Sequence, residues 1–65
     1  MKHPVAKLIA DLELIIKAYP KVQDPDKRKT MELAYGYRLG QLSEAGTPEL
    51  YRQYKQHYLK MGEQG

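Results

Sequence analysis

Val5, Leu8, Ile9, Leu12, Ile15, Ile16 and Tyr19 recur at the i, i+3, i+4, i+7 spacing of a single helical face. At 100° per residue they fall within a stripe roughly 120° wide. A stripe that dense has to be covered by other parts of the fold. The chain is therefore expected to be a packed helical domain.

Proline and glycine set the boundaries. Pro4 suits the first turn of a helix, where its missing N–H would be unpaired in any case. Pro20 disfavours α geometry in the residue before it, so the first helix is expected over about residues 4–19. Asp24-Pro25 reads as a capping carboxylate followed by proline at the first helical position. The second helix is expected over 25–45, with Gly46 taking the left-handed conformation just past its end. Thr47-Pro48-Glu49 repeats the start signal, a capping hydroxyl and then an acid that complements the helix dipole. The third helix is expected over 48–61, with 62–65 frayed. Short connections between helices favour antiparallel neighbours. The expected architecture is all-α, a small up-down-up three-helix bundle forming one domain over residues 1–65. A helical hairpin that completes its core by dimerising is the alternative.

The 65 residues contain no cysteine, which leaves no disulfide framework or thiolate metal site to supplement the core. The same absence fits a reducing, cytoplasmic setting. Hydrophobic residues make up 42% of the chain, too many for a disordered segment. No apolar run is long enough to span a membrane. Met1-Lys2-His3-Pro4 lacks the apolar segment of a secretory signal. Phe and Trp are missing, so six tyrosines supply all the aromatic bulk. The net charge of +3 lies entirely in residues 27–65, because four lysines balance Asp11, Glu13, Asp24 and Asp26 in residues 1–26. That asymmetry mildly favours an acidic partner.

Little here points to catalysis. Ser43 is the one serine, and the two histidines, His3 and His57, are expected at the surface. Neither histidine has a carboxylate at the i±3 or i±4 spacing that a helical metal site would use. Asp11 and Glu13, two residues apart, point in different directions on a helix. The chain is accordingly expected to be no enzyme, with no cofactor, no metal and no small-molecule substrate.

The second helix is less regular. Met31, Ala34, Tyr35, Leu39, Leu42 and Ala45 define its inner side, and Arg38 falls near the middle of that stripe. A guanidinium there must either pair with a carboxylate, for which Asp11 is available, or lift its head to solvent along its aliphatic stem. The opposite side carries Leu33, Gly36, Tyr37 and Gly40. Each interior glycine costs the helix about 1 kcal/mol relative to alanine. Two of them four residues apart leave a smooth strip for close packing, either inside the monomer or against a partner helix.

On the third helix, Leu50, Tyr51, Tyr54, Tyr58 and Met61 have the spacing of a core face, with hydroxyls reaching the rim. Arg52, Lys55 and Lys60 line its other sides, and Lys27, Arg28 and Lys29 cluster at the start of the second helix. Cations interleaved with tyrosines are what a phosphate-tracking, base-stacking surface uses. Two functions follow as expectations. The first is a non-catalytic interaction module that binds a protein partner or its own copy through Leu33, Gly36, Tyr37 and Gly40. The second is a nucleic-acid-binding accessory or regulatory protein using Lys27, Arg28, Lys29, Arg52, Lys55 and Lys60.

Overall fold

The computed structural model describes residues 4–64. The expectations for Met1 to His3 and for Gly65 lie outside the described residues.

Helix α1 spans Val5–Ala18. Pro4 is its extended cap residue rather than its first turn, with φ −74° and ψ 92°, and its carbonyl accepts from the Leu8 N–H at 3.0 Å. At the other end the chain does not stop short of Pro20. Tyr19 keeps helical angles, φ −54° and ψ −49°, and a 3₁₀ turn over Tyr19–Lys21 carries the proline. The steric bias against a helical residue before proline is overridden because the Tyr19 ring is anchored in the core.

Helix α2 spans Pro25–Glu44 and opens as its sequence predicts. The Asp24 carboxylate accepts from the Asp26 N–H at 3.0 Å, satisfying one orphan donor of the first turn. Ala45 is its cap rather than its last helical residue, and Gly46 follows with φ +80°, the left-handed angle that glycine adopts at least cost.

Helix α3 spans Pro48–Gln64. Two details differ from the sequence reading. The Thr47 hydroxyl turns back and donates to the Leu42 carbonyl at 3.0 Å, so it closes α2. The helix also continues past Met61 to Gln64 instead of fraying at Gly62. Met61 is buried at 5% exposure, and packing of that residue outweighs the roughly 1 kcal/mol cost of one glycine.

Cross-helix contacts fix the directions. Asp11 meets Arg38 and Tyr19 meets Glu32, so α2 retreats as α1 advances. Glu13 meets Tyr54 and Tyr19 approaches the Met61 carbonyl, so α3 runs alongside α1. The result is an up-down-up three-helix bundle, 35 × 18 × 15 Å, with no strand among the described residues.

Its core consists of Leu8, Leu12, Tyr19, Tyr35, Leu39, Leu42, Tyr54 and Met61. Tyrosine takes the place of phenylalanine, and each buried ring finds a partner for its hydroxyl. Tyr35 donates to the Tyr54 carbonyl at 2.6 Å, Tyr54 to the Glu13 carboxylate at 2.7 Å, and Tyr19 to the Glu32 carboxylate at 2.7 Å. Burial and the bonds to carboxylates hold the phenols protonated. The carboxylate of Glu13 pushes the Tyr54 pKa up to about 12, with burial adding to it. Burial is the main cause of the upward shift at Tyr35, and the bond to Glu32 is the main cause at Tyr19.

Arg38 combines both expected solutions. Its Nε lies 3.3 Å from Asp11, its Nη1 donates to the Ala34 carbonyl at 3.2 Å, and both side chains of the pair remain about a third exposed. Asp11 thus addresses α2 while Glu13 addresses α3, as their two-residue separation requires.

Candidate interaction surface

The seam between α2 and α3 begins with a ring stack. Tyr58 lies parallel to Tyr35, centroids 5.9 Å apart and planes 7° from parallel. Gly36 makes room for it, since a Cβ there would sit 3.2 Å from the Tyr58 hydroxyl and 3.4 Å from its ring. The close approach that this glycine permits is therefore internal to the bundle.

Gly40, one turn on, is different. A Cβ there would meet nothing within 4 Å. It sits in an open groove of about 460 Å³ between α2 and α3. Leu33 and Tyr37 stand beside it, 66% and 68% exposed. The four residues singled out on the second helix, Leu33, Gly36, Tyr37 and Gly40, all line this groove. The opposite wall is Tyr51, Lys55 and Tyr58 from α3. From spacing alone Tyr51 and Tyr58 belong to the core face of α3 and Lys55 to its cations. What would have joined them to the strip is the antiparallel register, which brings the start of α3 against the end of α2.

The six cations singled out for nucleic acid do not share one surface. Arg28 is turned inward, its guanidinium 4.6 Å from the centre of the Tyr19 ring and its Nε buried without a hydrogen-bond partner. Lys27 borders a depression shared with Val22, Asp26, Thr30 and Met31. Lys29 is two residues on and points roughly 160° away around the helix. Lys55 rests over Tyr51 at 5.5 Å. Lys60, roughly 140° round from Lys55, borders a hollow on the α1–α3 side with Ile16, Tyr19 and His57. Arg52 is exposed. His57 is half-buried beside Tyr54, ring centroids 6.3 Å apart, rather than free at the surface.

Among the described residues no three of His, Asp or Glu gather as metal ligands would. No helix among the described residues is long and apolar enough to cross a membrane. The chain matches no protein-family model, no curated protein and no solved structure.

Proposed function

We propose that this protein is a non-catalytic interaction module that receives a protein segment in the α2–α3 groove. One observation carries the reading: Leu33 and Tyr37 stand two-thirds exposed beside a groove whose floor at Gly40 is empty. Single exposed apolar residues are ordinary, whereas paired ones flanking a concave seam between helices are the form of a helix-receiving site. The cysteine-free composition suits a cytoplasmic setting for such a module.

Nucleic acid is the second reading, and it has less support. Two of the six cations already lie against tyrosine rings, and Lys27 and Lys60 border depressions on different sides of the bundle. Phosphate tracking needs them on one side.

The test compares wild type with Gly40→Leu, a substitution that fills the groove without touching the core. Immobilised proteins are exposed to native extract with and without nuclease treatment, and thermal unfolding is measured in parallel. The reading requires a bound protein that Gly40→Leu loses while its melting temperature stays within a few degrees of wild type. Capture identical for both proteins, or capture abolished by the nuclease, removes it.

A further inference from the structure

We infer that the occupant of the α2–α3 groove is an acidic amphipathic helix and not a second copy of this chain. The inference rests on the interaction reading above and names the partner's chemistry.

Shape gives the helix. Leu33, Tyr37 and Gly40 follow one another at i, i+4 and i+7 along α2, so they present a straight, shallow track with a gap at its end. A partner helix carrying apolar residues at the same spacing fits such a track.

Charge gives the sign. Among the described residues, Lys55 is the one charged side chain lining the groove, and it is exposed. Lys29 lies one turn before Leu33 on the same side of α2, and Arg52 lies one turn before Lys55 on α3; both are exposed. Cations thus border both walls. Of the nearby carboxylates, Glu32 is turned toward Tyr19 on α1, which leaves Glu44, one turn beyond Gly40, against the three cations. A two-fold dimer sets the same patch against itself. Lys55, midway between Tyr51 and Tyr58, is the cation nearest a two-fold through the middle of the groove, and there it would face its own equivalent, where like charges repel. A helix with Glu or Asp flanking its apolar face meets the same surface with attraction.

The test uses a displayed library of amphipathic 18-residue peptides, with fixed leucines on one face and Glu, Gln or Lys varied at the flanking positions. Selection is on the full-length chain. Glu is expected to be enriched over Lys at the flanks, and the best peptide should bind Lys55→Glu roughly fivefold more weakly. The same peptide should lose Gly40→Leu. Flanks that show no preference, or favour Lys, overturn the acidic partner while the groove reading stands. Sedimentation showing a dimer that Gly40→Leu dissociates has the same consequence, because the occupant is then a second copy. Peptides that bind Gly40→Leu as well as wild type, or a library from which nothing is selected, overturn the groove reading itself.

Discussion

The hydroxyl of Tyr35 donates to the main-chain carbonyl of Tyr54 at 2.6 Å, and the hydroxyl of Tyr54 donates in turn to Glu13. A single residue on α3 therefore accepts from α2 and donates to α1. Bonds to a charged acceptor contribute more than neutral ones, about 1.5–3 kcal/mol against about 1 kcal/mol. Tyr54→Phe keeps the ring and removes the charge-assisted bond. It is expected to lower unfolding free energy by about 2 kcal/mol, and Tyr35→Phe by about 1 kcal/mol. Urea titrations of the two variants check the order, and a larger loss at Tyr35 would contradict it.

The same hydroxyls make the bundle sensitive to alkali. A tyrosine in the unfolded chain ionises near pH 10. In the fold Tyr54 stays protonated up to about 12, and Tyr35 and Tyr19 are shifted in the same direction. Above pH 10 the folded chain therefore holds protons that the unfolded chain has released, so stability falls as pH rises. The contribution is complete below 10 and, for Tyr54, gone once pH passes about 12. Stability measured across this window should fall less steeply in Tyr54→Phe than in wild type. Equal slopes would show that Tyr54 ionises normally.

Fold and site were not equally legible in the sequence. The α1 stripe, the Asp24 cap and the Gly46 turn report on neighbouring residues alone, so local rules read them correctly. The errors came where distant contacts decide. The turn continues through Pro20 to Lys21, past the expected end at Tyr19, where the Tyr19 ring is held in the core, and α3 outlasts Gly62 because Met61 is buried. The glycine strip was visible as a pattern, but its two members look alike in sequence. Only Tyr58, arriving from another helix, separates Gly36 from Gly40. Arg28 likewise looked like a surface cation until the 3₁₀ turn brought Tyr19 beneath it.

That separation of the glycines has a measurable consequence. Alanine is favoured over glycine inside a helix by about 1 kcal/mol. At Gly40 the new methyl group enters open space, so Gly40→Ala should raise stability by up to about that amount. This corresponds to a melting temperature higher by about 4–8 °C. At Gly36 the methyl group meets the Tyr58 hydroxyl at 3.2 Å and disturbs its stack on Tyr35. Gly36→Ala should therefore gain less than Gly40→Ala. A gain as large at Gly36 would mean that the Tyr58 ring shifts at no cost.

Adjacent cations on α2 should also differ sharply. Lys27 and Lys29 are exposed, and removing either changes little, within about 0.5 kcal/mol. Arg28 covers the face of Tyr19 at 4.6 Å, an arrangement worth about 0.5–2 kcal/mol according to how well water is excluded. Its stem also packs against the core edge, which alanine would uncover. Arg28→Ala should therefore cost about 1–1.5 kcal/mol, while Arg28→Lys recovers part of it by keeping the charge and most of the stem. Buried Nε has no hydrogen-bond partner, so lysine, which places no polar atom there, escapes one desolvation cost. Urea unfolding of Lys27→Ala, Arg28→Ala, Lys29→Ala and Arg28→Lys gives the ranking directly. If all three alanine variants unfold at the same urea concentration, Arg28 is a solvated cation and the ring contact contributes nothing to the fold.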